Sequence, residues 1–285
     1  MMDMVQAVFL EPLSYGFMQR GLLIALMTGV VCAVLSCFLI LKGWSLMGDA
    51  ISHAVLPGIM LAYIAGLPLA AGAFTAGIFC AVATGYLKEN SRIREDAVMG
   101  IVFSGMFALG LVMLTKIETD LHLMHILFGN MLGITQKDLI ETGVMTGATI
   151  LIVLLKWRDF LLYCFDPAYA RVAGLKVRML HFGLLLLLSL TIVAALKAVG
   201  IILVIAMLIA PGALAFLLTK SFGKMLVIAI SASVASCIGG TLISFHIDAA
   251  SGPCIVVLQA VVFMAAFLLQ FKTKNYVNEA ERHAA

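Results

Sequence analysis

The chain has 285 residues, 63 % of them hydrophobic and only 12 % charged, with a formal net charge of +3 and a mean hydropathy of +1.13. A soluble domain averages about 45–50 % apolar and about 25 % charged residues, so this composition excludes a water-soluble globular protein and makes lipid part of the solvent. The small net charge does not point to nucleic acid as a partner.

In a bilayer every backbone amide needs an internal partner, which leaves helices or closed barrels. Barrel strands alternate in polarity, whereas runs such as 184–195 and 199–210 are continuously apolar. The expected fold class is all-α: a polytopic membrane helix bundle forming a single transmembrane domain over 1–285. A bilayer core takes about 20 helical residues to cross. In chain order, spans are expected at 16–41, 43–66, 68–87, 97–115, 137–156, 179–196, 198–219, 224–245 and 253–271. That is about nine, with eight possible; two neighbours that formed a hairpin without crossing would leave the orientation of the N-terminus unchanged. The segment 43–66 is the least hydrophobic. The stretch 121–134 is too short to span and is expected to lie at the interface or re-enter. Residues 1–19 carry no basic region ahead of a short apolar core, so a cleaved signal peptide is not expected.

Loop charge sets the expected orientation. Lys42 lies between the first two spans. Lys88, Arg92 and Arg94 lie between the third and fourth. Lys156, Arg158, Arg171, Lys176 and Arg178 lie between the fifth and sixth, and Lys220 and Lys224 between the seventh and eighth. Lys272, Lys274 and Arg282 are in the tail, 272–285. These alternate segments hold fourteen of the 18 basic residues. The N-terminus is therefore expected outside and the C-terminus in the cytoplasm. No cytoplasmic segment has room for a nucleotide-binding domain, and no GxxxxGK[ST] phosphate loop occurs. If transport uses ATP, another chain must bind it.

Six cysteines are scattered through apolar stretches without a CxxC pair, and 17 methionines occur singly through the spans. Both read as packing residues, not as a disulfide framework or a metal centre. Gly72, Ala76, Gly77, Gly239 and Gly240 mark positions where helices can approach closely.

The chemistry concentrates in 48–58, where Asp49 and His53 stand four apart. Residues i and i+4 share a helix face. Counted from Gly43 at 1.5 Å per residue, Asp49 lies about 9 Å and His53 about 15 Å along the span. An intramembrane carboxylate costs at least about 2.5–3.5 kcal/mol on insertion scales, so something must neutralise it. A divalent cation does so, and carboxylate plus imidazole is a sound donor set for a first-row metal. One Asp and one His are too few ligands. Two copies about a two-fold axis would supply two carboxylates and two imidazoles. The plainer reading is a helix cap and a core histidine; their joint placement in one span favours the metal. Pro57, with Gly58 beside it, suggests a kink near the site.

The run 41–58 (LKGWSLMGDAISHAVLPG) resembles the signature of bacterial ABC-type permeases for manganese, iron and zinc. Further blocks resemble the same family: 94–101 (REDAVMGI), 127–133 (LFGNMLG), 165–175 (FDPAYARVAGL), and 199–204 (VGIILV) with 210–212 (APG). They run in order along nearly the whole chain. The resemblance implies that Asp49 and His53 hold the metal in the translocation path, with Pro57 and Pro211 as kinks along it. It implies a bacterial inner-membrane importer of Mn²⁺ and/or Fe²⁺, with no permanently bound cofactor and the metal as substrate. Its partners would be cytoplasmic ATPase subunits that carry the ATP, a second permease subunit, identical or paralogous, and an extracytoplasmic metal-binding protein.

The segment 166–175 reads independently as a short helix: Asp166 suits the N-cap, Pro167 the first turn and Gly174 the C-terminal stop. The resemblance implies that the segment within about 158–178, with Asp166, Ala170, Arg171 and Gly174, is the coupling helix that docks on the ATPase. His122 and His125, near Glu118 and Asp120, are candidates for guiding metal into the path from outside, or plain interfacial residues. His246 and Asp248 are discounted in the same way. His181 is expected near the cytoplasmic interface, and His283 in the tail.

Three other readings stand beside this one. A zinc importer would use the same ligand set, since two Asp and two His also suit tetrahedral Zn²⁺. An ion-coupled secondary transporter usually needs several buried ionisable groups, and Asp49 is the one carboxylate expected deep in a span. A membrane metalloenzyme lacks support, because no HExxH occurs.

Overall fold

The computed structural model describes residues 11–284 except 45, 94, 117–128 and 130–132. Among the described residues the structure is helical throughout, with no strand. After a single turn at Glu11–Ser14 come α1 (Gly16–Lys42), α2 (Met47–Ile64), α3 (Leu69–Glu89), α4 (Glu95–Lys116) and α5 (Gln136–Phe165). These are followed by the short α6 (Pro167–Val172), α7 (Val177–Leu218), α8 (Phe222–Ile247) and α9 (Ser251–Ala284). Among the described residues, nine segments are long and apolar enough to cross a membrane.

Helix ends follow local chemistry. Gly43 at φ 75° closes α1 in a Schellman motif: its amide reaches the Ile40 carbonyl at 3.1 Å and the Trp44 amide reaches Leu39 at 2.8 Å. α2 therefore starts at Met47, four residues later than Gly43, where the second span was expected to begin. α5 starts with a capping box in which Thr135 Oγ1 accepts from the Asp138 amide and Asp138 Oδ2 accepts from the Thr135 amide, both at 3.2 Å. It then runs nine residues past the expected end at 156. Lys156, Arg158 and Asp159 signal the edge of the hydrocarbon, but they are good or neutral helix residues once their heads are in water. The helix stops only at Asp166–Pro167. The tail likewise continues α9 to Ala284.

α7 covers both the sixth and seventh expected spans. At 42 residues a straight helix would reach about 63 Å, twice a bilayer. Gly200, at φ 75° and ψ 168°, breaks it. That conformation is open essentially to glycine alone. His181 in the first half packs against Trp44, while Leu208 in the second half lies against Gly48. Both halves thus return to the same end of the bundle, and the chain reverses near Gly200.

α1, α2 and the first half of α7 form the centre; α4, α5 and α9 expose most of their surface. α2 is the least apolar of the nine spans and the most deeply buried. Its polar groups are kept from lipid by neighbours rather than by composition. The closest approach is α2 on α3, where Gly58 and Gly72 face each other backbone to backbone and Ala76 lies 2.5 Å from where a Gly58 side chain would begin. Gly77 faces Ser189, and Gly240 faces the Ile255 backbone. Gly72→Val is expected to destabilise the protein by about 1–3 kcal/mol, as overpacking does. Thermal unfolding of the detergent-solubilised chain would read this as a lowered midpoint; an unchanged midpoint would reject the close crossing.

Candidate metal centre

Asp49 sits in the first turn of α2 and His53 one turn on. With the helix beginning at Met47, Asp49 is nearer the helix end than counting from Gly43 implied. The positive end of the helix dipole therefore favours its carboxylate. His53 Nε2 and Asp49 Oδ1 lie 3.3 Å apart, with side chains 25 % and 30 % exposed. Two donors held about 2.1 Å from one ion at 90–110° are separated by roughly 3.0–3.5 Å. The pair therefore already has the spacing of two neighbouring ligands on one first-row metal.

The far side of the imidazole is fixed by packing. Phe107 of α4 meets His53 edge-on at 4.9 Å between centroids, and Phe103 stacks at 6.2 Å. His53 Nδ1 is buried without a hydrogen-bond partner, so Nε2 is the nitrogen left to bind a cation beside Asp49. Ser52 is not a competing ligand, because its hydroxyl donates to the Gly48 carbonyl at 2.7 Å. Among the described residues no group of three or more His, Cys, Asp or Glu comes together. The described part of the chain thus offers two side-chain donors at this point.

Pro57 is buried within α2, and having no amide proton it leaves the His53 carbonyl without its helical donor. α4 closes over this point: a side chain on Gly110 would begin 2.9 Å from the Pro57 nitrogen and from Leu56. Pro211 interrupts the second half of α7. There Ser36 of α1 bonds the backbone on both sides of the proline, donating to the Ile209 carbonyl at 3.2 Å and accepting from the Gly212 amide at 2.9 Å. Sequence reading missed Ser36, Phe103 and Phe107. A groove of about 720 Å³ between α2, α3 and α4, lined by Pro57, Leu61, Phe79 and Leu109, includes neither Asp49 nor His53 and is apolar. It offers no ion site.

The segment after α5 is capped at both ends. Asp166 Oδ1 accepts from the Ala168 and Tyr169 amides at 2.9 and 3.0 Å, and Pro167 opens α6. Gly174, at φ 82°, closes it in a second Schellman motif, with Leu175 N–H on the Ala170 carbonyl at 3.0 Å and Gly174 N–H on Arg171 at 3.1 Å. Ala170 is fully buried, whereas Arg171 is exposed. Beside α6 a groove of about 480 Å³ gathers Lys42, Lys88, Arg171 and Arg178 over Tyr163 and His181, with no acidic residue among the described residues of its lining. His122 and His125 lie outside the described residues. His246 is exposed at the last turn of α8, with Nδ1 2.8 Å from the Leu242 carbonyl. His181 is held by Tyr163, whose hydroxyl is 2.9 Å from Nδ1.

Among the described residues, a bundle of apolar helices holds the Asp49–His53 pair and a short capped helix lies at its basic end, the layout of a membrane transport subunit. The chain belongs to the ABC 3 transport family, which it matches over residues 14–270. It is 65 % identical over 267 residues to the chelated iron transport system membrane protein YfeD of Yersinia pestis, covering 94 % of this chain and 90 % of that one. It is 51 % identical over 258 residues to the manganese transport system membrane protein MntB of Synechocystis, covering 90 % and 84 %. Among solved structures it resembles PsaBC from Streptococcus pneumoniae in complex with Fab, with a TM-score of 0.83 and 37 % identity over 92 % of this chain and 95 % of that one.

Proposed function

We propose that this chain is the membrane-spanning subunit of an ATP-driven importer that carries Mn²⁺ and/or Fe²⁺ across the bacterial inner membrane. The observation that carries the reading is the convergence of Asp49 Oδ1 and His53 Nε2, 3.3 Å apart, on the most buried of the nine spans. The names of the relatives, iron and manganese transport proteins, support these metals over zinc. Family membership supports an ATP-driven mechanism over an ion-coupled one.

Two donors leave a hexacoordinate ion incomplete. A second permease subunit, identical or paralogous, supplies the same pair across a two-fold axis, and two carboxylates then balance the charge of the ion. A separate ATPase docks on α6 at the basic end, which faces the cytoplasm by the positive-inside rule. A binding protein delivers metal from the opposite side. The N-terminus is then outside.

The test is uptake by the reconstituted complex of permease, ATPase and binding protein, with Mn²⁺, Fe²⁺ and Zn²⁺ in competition. ATP-dependent uptake in which Mn²⁺ or Fe²⁺ outcompetes Zn²⁺ is expected. Uptake driven by a proton or sodium gradient without ATP would overturn the reading, and preference for Zn²⁺ would overturn the metal assignment.

A further inference from the structure

α2, which carries Asp49 and His53, packs mainly on α3, α4 and α7 rather than on α5 or α6. Movement at α6 must therefore reach Asp49 by another route. The left-handed Gly43 folds Trp44 back under the end of α1, where it is only 4 % exposed. The indole meets the His181 ring edge-on, at 5.1 Å and 83°. His181 Nδ1 lies 2.9 Å from the hydroxyl of Tyr163, itself 3 % exposed, and Lys42 Nζ lies 4.2 Å from the Tyr163 ring centroid. Tyr163 precedes the α6 cap Asp166 by three residues, and His181 lies in the second turn of α7, just after α6. The segment after α6 thus meets Trp44 directly through His181, the segment before it reaches Trp44 through the Tyr163–His181 pair and Lys42, and the Met47 amide hydrogen-bonds the Trp44 carbonyl at 3.1 Å, two residues before Asp49.

A Tyr hydroxyl buried at this depth is costly without a partner, so the Tyr163–His181 contact holds its geometry. Close-packed interiors pass displacement on rather than absorb it. We infer that Trp44, Tyr163 and His181 are positioning residues that link the coupling segment to the first turn of α2, so that tilting α6 shifts Asp49 relative to its metal. The inference rests on reading α6 as the ATPase-docking helix. None of the three is a proposed metal ligand.

The test uses the full complex of permease, ATPase and binding protein in proteoliposomes. It measures Mn²⁺ transported per ATP hydrolysed, together with Mn²⁺ binding in the absence of nucleotide. Tyr163→Phe and His181→Gln keep side-chain bulk and remove the hydrogen bond or alter its geometry. Each is expected to lower the transport ratio about two- to tenfold, the factor for one hydrogen bond, with Mn²⁺ binding unchanged. The double variant is expected to be no worse than the poorer single variant, because both break one link. Trp44→Phe, which keeps an aromatic edge, should retain more of the ratio than Trp44→Leu. An ATP-driven complex whose double variant keeps the unaltered ratio would overturn the linkage alone. Uptake by the unaltered complex that ignores ATP would overturn the transport reading and the linkage with it.

Discussion

Asp49→Ala and His53→Ala are each expected to lower metal uptake about 100-fold or more, while the chain still inserts and still assembles with its ATPase. Loss even of a group that only orients a metal ligand costs about 10–100-fold in affinity or activity, and these residues are proposed as the ligands themselves. Stability should survive. Both side chains are partly exposed, Asp49 accepts no backbone hydrogen bond among the described residues, and alanine is the best helix former. Asp49→Asn separates charge from shape: it keeps an oxygen donor but removes the anion that balances the cation, and should fail nearly as badly. Uptake of labelled Mn²⁺ by proteoliposomes, beside the amount of detergent-extracted complex, reads both quantities. Normal uptake in both alanine variants would remove the metal assignment.

Arg171→Glu is expected to weaken ATPase association roughly 10- to 100-fold and to cut metal-stimulated ATP hydrolysis accordingly, with metal binding untouched. Arg171 is exposed on α6 beside Lys42, Lys88 and Arg178, in a groove whose described lining residues include no acid. A surface of one sign selects a partner of the other, and reversing a charge within it turns attraction into repulsion. Ala170, one residue earlier, is buried within the chain and holds α6 in place, so the proposed docking face is the exposed side with Arg171. Binding of purified ATPase to the variant permease would be measured together with hydrolysis. Unchanged stimulated hydrolysis would count against α6 as the docking element.

The spans were legible because an apolar run of bilayer length has few alternatives to a helix in lipid. The fine placement was not. Hydropathy ends α5 at Lys156, but a helix entering water does not unwind merely because its side chains become polar; Asp166–Pro167 ends it. The start of α2 depended on Gly43 and Trp44, whose Schellman geometry uses up the residues that a hydropathy window assigns to the span. Asp49 and His53 stood out because charge in an apolar stretch is rare. Their aromatic neighbours Phe103 and Phe107 could not, since a Phe facing a ligand and a Phe facing lipid look alike in sequence. Ser36 was hidden for a related reason: only the three-dimensional meeting of α1 with α7 brings an ordinary helical serine onto the Ile209 carbonyl and the Gly212 amide beside Pro211. The capping of 166–175, by contrast, was written locally in three residue types, and the structure places each in its expected role.

The deep burial of the least apolar helix bears on biogenesis. A segment carrying Asp49 and His53 leaves the translocon with a weak preference for lipid, and its lasting shelter includes α7, which is synthesised only after α3, α4, α5 and α6. Until then the newborn α2 has the facing glycines of α3 as its closest shelter. Truncation ahead of α7 should therefore leave α2 prone to slip back into water, and this chain should complete its topology late, when its second half arrives to enclose the first.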